Sequence, residues 1–429
     1  MKKTELFFLT ILFIVRLITK YFDVPVFFQV IIYLVFIFYY IRQSSMEFIR
    51  LLLFNFIISS VVIGSFIPLE MNYVSSQLAI LILFKIIFAK AKFTFKKQGW
   101  FNLLFLFLFG ASLLSEINVM SNGLAHSRYE MIIFATLFYI FLNITGFKTS
   151  VITSEALLQA IALCSFYIIV LSFFDINFSD REVVELNDNY KLSRASTLPD
   201  RNYSSGLISF GFGILLLELE RLKNKVYVFF LILVFFGSQL ILASRGGVIT
   251  SILIFVFYII YEKSKSKKPN RRYVILILPV VFSLFLFDTS RIENRFREES
   301  LDDQSGRSEI RQESFTNYLF QAPSYIVFGG GGYHGYTTLA NNKSIHNNFL
   351  EILYDYGLVG FIVFVFSVFR IWSMDLFNKM NILVYCLVSF SLSPIISVVY
   401  WVFLIVAMVP YNSDINNIKV ILQSKSKIA

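Results

Sequence analysis

The chain has 429 residues, of which 57% are hydrophobic, 18% aromatic and only 15% charged. An ordinary soluble domain is nearer half apolar and a quarter charged, so a water-soluble fold is excluded. The formal charge of +10 could suggest nucleic acid, but the basic residues fall in every second loop between apolar runs, which argues against that partner.

The first apolar run, about 5–19, follows Lys2 and Lys3. It has the start of a signal peptide, but no small-residue cleavage site follows, so it reads as a retained span. Further runs lie at about 24–41, 48–68, 74–90, 100–117, 129–146 and 153–174. A spanning helix needs roughly 17–25 mostly apolar residues, so residues 1–174 form an N-terminal transmembrane block. A loop over 175–203 separates it from runs at about 204–219, 225–243, 246–261 and 273–288, which make a second block over 204–288. The longest non-membrane segment, 289–347, comes next. The C-terminal block, 348–429, holds runs at about 348–371, 379–394 and 396–411 and then a tail. Pro394 divides the last pair, which has little length for two spans. The expected fold is an all-α polytopic integral membrane protein with about 12–14 transmembrane helices.

The basic loops set the orientation. Lys2 and Lys3 begin a series that continues through Arg42 and Arg50, then Lys90, Lys92, Lys96 and Lys97, then Lys148, then Arg221, Lys223 and Lys225. It goes on through "KSKSKKPNRR" (263–272), Arg370 and Lys379, and ends at Lys425 and Lys427. Short basic loops mark the cytoplasmic side of a membrane. Both termini are therefore expected in the cytoplasm, with the loops 175–203 and 289–347 facing outward. Cys164 and Cys386 lie in apolar runs and read as small core residues, with neither a disulfide framework nor a thiol metal site.

The polar stretches that stand out all fall on that outer side. The loop "KLSRASTLPDRNYSSG" (191–206) carries Lys191, Arg194, Asp200 and Arg201 just before a span. In "ASRGGVI" (243–249) one span ends and the next begins, with Arg245 in a very tight connection. An arginine there can snorkel and simply anchor the helix. It can equally hold a diphosphate in its rigid fork, and Gly246 and Gly247 would let a phosphate approach the backbone. In the large loop, Arg307 and Arg311 are four apart, so a helix would place them on one face. Either an anion between them or ordinary pairing with Glu309 and Glu313 accounts for that spacing. "GGGG" (329–332) reads by default as a flexible linker, and His334 follows it in irregular chain.

"KSIHNNFLEILYDYGLVG" (343–360) runs from a polar patch straight into a membrane-length apolar run. Asn347 or Asn348 can cap the helix. His346 remains as a general base or acid near neutral pH, or as a polar surface residue. Glu351 and Asp355 lie four apart inside the span. Carboxylates at such positions usually face a polar interior, so this helix start is expected to border a wet cavity. His126, in the short outer loop "NGLAHSRYE", has no such company.

Taken in order, "PDRN" (199–202), "SRGG" (244–247), "GR" (306–307), "GGGGY" (329–333) and "HNNFLEILYDYGLVG" (346–360) resemble the pattern of the O-antigen polymerase and O-antigen ligase family. The resemblance covers about 190–371; before that only the topology is similar. Two departures are an Arg between Asp200 and Asn202, and Arg311 where the family often has Trp. The resemblance implies a glycosyltransferase on the outer face of the bacterial inner (plasma) membrane. Its donor would be an undecaprenyl-diphosphate-linked oligosaccharide, and it would use no cofactor, nucleotide sugar or metal. It implies catalytic roles for His346, Arg245 and Arg307, and substrate contacts from Arg311, Arg194, Arg201, Asn347 and Glu351. The arginines would stabilise the diphosphate leaving group, and His346 would accept or orient the acceptor hydroxyl. The Leu-Tyr-Asp-Tyr-Gly pattern and the 191–203 loop favour a repeat-unit polymerase for O-antigen, capsule or exopolysaccharide. The alternatives are a ligase that transfers the glycan to lipid A-core, and a lipid-linked sugar flippase or transporter. Membrane lipid and a chain-length regulator protein are the other candidate partners.

Overall fold

A computed structural model describes residues 38–39, 41–43, 45–58, 73–88, 135–142, 149–173, 201–219, 221–222, 224–265, 272–287, 293, 307–330, 347–390, 398–409 and 411–412. The chain is an all-α membrane protein. Its described helices are α1 (Ser45–Ile58), α2 (Tyr73–Phe88), α3 (Val151–Phe173), α4 (Arg201–Glu218), α5 (Lys225–Leu242), α6 (Arg245–Lys265) and α7 (Arg272–Leu286). They continue with α8 (Arg307–Leu319), α9 (Pro323–Phe328), α10 (Asn348–Trp372), α11 (Leu376–Ser389) and α12 (Val398–Met408). A two-residue parallel pairing joins β1 (Thr149–Ser150) to β2 (Tyr411–Asn412).

Helix α4 is the hub of the described bundle. Every position from 204 to 216 is buried, and α3, α5, α6, α11 and α12 pack around it. Its composition explains this. Apolar helices in lipid gain no hydrophobic drive from meeting one another, so they associate through close van der Waals packing that small residues permit. Gly206, Gly211 and Gly213 lie on α4. A Cβ at Gly211 would be 2.6 Å from Ile161, and one at Gly213 would be 3.2 Å from Met380. Between the glycines, Phe210 stacks on Phe403 with ring centroids 4.1 Å apart.

The outer surface of the bundle is apolar. Ile252, Val256 and Ile260 on α6, Leu278, Phe282 and Phe285 on α7, and Ile362, Phe366 and Phe369 on α10 are all exposed. Among the described residues, three helices are long and apolar enough to cross a membrane: Lys225–Leu242, Arg245–Ser264 and Asn348–Trp372. The expected runs at 5–19 and 100–117 lie outside the described residues, and those at 24–41, 48–68, 74–90, 129–146, 153–174, 273–288, 379–394 and 396–411 lie partly outside them. Of the last expected pair, 14 residues are described in α11 and 11 in α12.

Contacts between helix ends define two ends of the bundle. At one, Ser244 Oγ donates to Asn202 Oδ1 at 3.3 Å, joining the α5–α6 turn to the first turn of α4. Tyr400 Oη, at the start of α12, donates to the Tyr203 carbonyl at 2.8 Å. Val388, at the finish of α11, packs beside Gly206, and Phe349, at the start of α10, pairs with Phe390 at 4.9 Å. At the opposite end, Ser154 Oγ donates to Glu218 Oε1 at 2.6 Å, Arg221 pairs with the same carboxylate at 3.2 Å, and Trp372 of α10 meets Phe257 of α6.

Candidate functional site

The connection that carries Arg245 is as short as the sequence suggests. Ala243 closes α5 in the left-handed region, at φ 47° and ψ 39°, and its N–H donates to the Leu240 carbonyl. Such a backbone is uncommon for a residue with a Cβ. Ser244 then supplies its carbonyl to Val248 N at 3.1 Å, and α6 starts at Arg245. The guanidinium is thus borne on the first turn of a helix, half-buried, beside the start of α4.

Gly247 does not offer its backbone to a ligand. It is buried against α4, and a Cβ there would lie 1.6 Å from Ser205 Oγ. The expected phosphate approach at this glycine is therefore corrected, because a neighbouring helix fills the space. Below it a buried polar network links three helices. Gln239 Nε2 of α5 donates to Ser251 Oγ of α6 at 2.8 Å and to Ser209 Oγ of α4 at 3.1 Å. Ser209 Oγ also lies 3.2 Å from Ser251 Oγ and donates to the Gly247 carbonyl at 3.2 Å. The network fixes the relative depth of α4, α5 and α6 beneath the Arg245 turn.

The start of α10 is the second part of the site. Asn347 is the cap: its Oδ1 accepts from Phe349 N at 3.1 Å and Leu350 N at 3.2 Å. Asn348 is fully buried, next to Tyr385 of α11. Glu351 and Asp355 are buried one and two turns further on. This helix start thus carries two carboxylates and an amide into the bundle at the same end as Arg245. Among the described residues, no group of three or more His, Cys, Asp or Glu side chains stands together as a metal site.

The outer segment closes on α10 through bare backbone. Gly357 breaks α10 at φ 65° and ψ −170°, a conformation essentially confined to glycine. Into this break fits the end of α9. A Cβ on Gly357 would be 2.4 Å from the Val327 carbonyl oxygen, and one on Gly329 would be 2.4 Å from that of Asp355. Gly330 N donates to the Tyr354 carbonyl at 2.9 Å. The default expectation of a flexible linker at 329–332 is therefore corrected for its first two glycines, which are held by α10. Ring contact between Tyr318 and Tyr354, at 5.5 Å, fastens α8 to the same place. The Tyr318 phenol donates to the Ile326 carbonyl at 2.8 Å.

The expected site residues divide accordingly. Arg245, Asn347 and Glu351 are described and lie at one end of the bundle. Arg201 begins α4, and Arg307 and Arg311 lie in α8, but their side chains are outside the described residues. The register of α8 puts positions 307 and 311 on the strip that continues through buried Ser314 and Tyr318. His346 and Arg194 lie outside the described residues, as do His126 and His334. Sequence reasoning missed Gln239 and the α9 dock. A glutamine inside an apolar run, and serines four apart at 205 and 209, were the available signals for the network.

Residues 226–365 match the family model described as O-antigen ligase. The matched stretch runs from the start of α5 into α10, so it contains Arg245, Arg307, Arg311, His346, Asn347 and Glu351. No curated protein and no solved structure matches the chain.

Proposed function

We propose that this chain, whose residues 226–365 match the O-antigen ligase family model, is a polymerase that joins undecaprenyl-diphosphate-linked oligosaccharide repeat units. The observation that carries the reading is the family match, which spans the Arg245 turn and the polar start of α10. In the proposed reaction the acceptor hydroxyl oxygen bonds to the anomeric carbon of the donor glycan. The bond from that carbon to the diphosphate breaks, and its electron pair leaves on the diphosphate. Arg245 and Arg307 stabilise the charge that builds there, as preorganised cations do in a site shielded from water. Arg311, Arg201 and Arg194 hold the phosphates or sugars of the two substrates. His346 takes the hydroxyl proton, one residue before the capping Asn347. Glu351, buried one turn into α10, orients the acceptor hydroxyls. The reaction uses no metal, and it takes place on the outer face of the inner (plasma) membrane, with a chain-length regulator as a candidate partner. The Leu353-Tyr354-Asp355-Tyr356-Gly357 pattern favours a polymerase over a ligase that would use lipid A-core.

The test is His346→Ala. Loss of a general base costs about 10²–10⁴ in rate, enough to abolish long glycan chains while the lipid-linked single repeat accumulates. His346→Gln separates orientation from proton transfer by retaining part of the activity if orientation dominates. His334→Ala and His126→Ala should have mild effects. Normal chain length in His346→Ala at normal expression would remove this residue from the mechanism. If capping alone matters at this helix start, Asn347→Ala should lower protein level while His346→Ala matches wild type.

A further inference from the structure

The segment that joins α8 to α10 was expected to be a non-membrane outer loop, yet its described part past Glu313 is uncharged and exposes mainly large apolar side chains. Residues 314–330, "SFTNYLFQAPSYIVFGG", contain no Lys, Arg, Asp or Glu, whereas the first two turns of α8 hold Arg307, Glu309, Arg311 and Glu313. The side chains past that polar end are bare: Phe315, Leu319, Phe320, Tyr325, Val327 and Phe328 are exposed, Phe320 at 85% and Phe328 at 68%. A cluster of this kind on a surface marks an interaction site.

The depth of the dock says what covers it. Gly329 and Gly330 meet α10 at Tyr354–Gly357, six to nine residues past Asn348. At 1.5 Å per residue that is about 9–14 Å along the helix. The 25 residues of α10, broken at Gly357, span at most about 37 Å against a hydrocarbon core of about 30 Å. Even if all the excess length lay at this end, Gly357 would still be ~6 Å inside the core. The exposed faces of Leu358, Val359 and Ile362 follow directly after the break, so the bare face of α9 adjoins the lipid-facing surface of α10.

Much of the backbone meets the demand that hydrocarbon makes. Irregular chain at membrane depth is tolerated only where its polar groups are satisfied internally. Here the N–H groups of Phe320, Gln321, Tyr325, Ile326, Gly329 and Gly330 all donate to backbone carbonyls, and the Ile326 carbonyl accepts from Tyr318. Pro323 has no N–H to satisfy.

We infer that residues 315–328 form a re-entrant membrane segment: α8 descends from its charged start, α9 turns within the leaflet at the Arg245 end, and the exposed aromatic side chains of both contact lipid acyl chains. The occupant of this face is bilayer lipid. The inference rests on the dock at Gly357 and not on the chemistry proposed above.

The full chain in lipid nanodiscs, where both faces are open to reagents, provides the test. Single cysteines at Gln312, Glu313, Phe320 and Phe328 are all at exposed positions, so the packing survives each change. Wild type, with Cys164 buried and Cys386 partly so, is the blank. A water-soluble maleimide should label Gln312→Cys and Glu313→Cys and fail at Phe320→Cys and Phe328→Cys. Spin labels at 320 and 328 should collide with dissolved oxygen, which partitions into lipid, and not with a water-soluble nickel chelate; labels at 312 and 313 should show the reverse. Maleimide labelling or nickel collisions at 328 would overturn the inference in favour of an aqueous loop. Protection from both collision reagents at 320 and 328 would overturn it in favour of a cover supplied by the protein itself.

Discussion

Substituting Gly357 by alanine tests whether the break in α10 is what holds the outer segment. The backbone at φ 65° and ψ −170° lies in a region open essentially to glycine, and forcing another residue into it costs about 1–3 kcal/mol. The added Cβ would also stand 2.4 Å from the Val327 carbonyl oxygen and 2.5 Å from Gly329 N. Both are backbone atoms, so relief requires moving α9. Overpacking of that kind costs a further ~1–3 kcal/mol, and the two together make about 2–6 kcal/mol. Thermal unfolding in detergent should show a marked fall in the midpoint. A spin label on Ser324, in exposed α9, should gain mobility as the dock loosens. Gly213→Ala is the control. Its Cβ would meet the flexible Met380 side chain at 3.2 Å, and removing a helical glycine offsets the crowding by roughly 0.5–1 kcal/mol, so stability should change little. An unchanged midpoint and unchanged spin-label mobility in Gly357→Ala would refute the docking argument.

Gly247→Ala should be strongly destabilising, because its Cβ would fall 1.6 Å from Ser205 Oγ; Ser205→Gly in the same chain should restore most of the melting midpoint, and no rescue would mean that the close approach is elsewhere. Gln239→Leu loses two bonds to serine hydroxyls and a longer one to the Ser205 carbonyl but also removes an Oε1 that is buried without an acceptor role, so with membrane-buried bonds worth about 0.6 kcal/mol each the melting midpoint should fall only slightly; unfolding of this variant would show that the network stabilises the bundle far more than its geometry implies. Arg245→Lys should insert and accumulate normally, since lysine snorkels too, yet lose most glycan assembly because an ammonium lacks the bidentate fork; full activity would leave Arg245 as an anchor. Cysteines at Ser196 and Ser305 should react with an impermeant thiol reagent in whole or outer-membrane-permeabilised cells and one at Ser266 should not; labelling at Ser266 alone would invert the proposed orientation.

Some of this was written plainly in the sequence. A tight turn at 243–245 follows from apolar runs at 225–243 and 246–261 that leave only two residues between them, and a cap at Asn347 or Asn348 follows from the preference of asparagine for helix starts, the structure selecting Asn347. The all-α membrane class follows from composition. Other features depend on partners distant in the chain. Gly247 advertises a close approach, but only the fold reveals that Ser205, 42 residues away in sequence order, makes it. The glycines at 329 and 357 each look permissive alone; their meaning is mutual, since each accommodates the other's backbone. The short α9 escaped notice because its six residues carry too few turns for a periodic pattern, and because a loop named from its charged start hides a charge-free finish.

The most direct measurement uses purified protein in detergent, given undecaprenyl-diphosphate-linked repeat units and nothing else. A transferase needs no membrane barrier, whereas a flippase does. The account predicts a ladder of lengthened lipid-linked glycans with release of undecaprenyl diphosphate, and loss of that ladder in His346→Ala. Transfer seen only after lipid A-core is added would contradict the polymerase reading in favour of a ligase, and the absence of any glycosidic bond formation from active, folded protein would contradict the account itself.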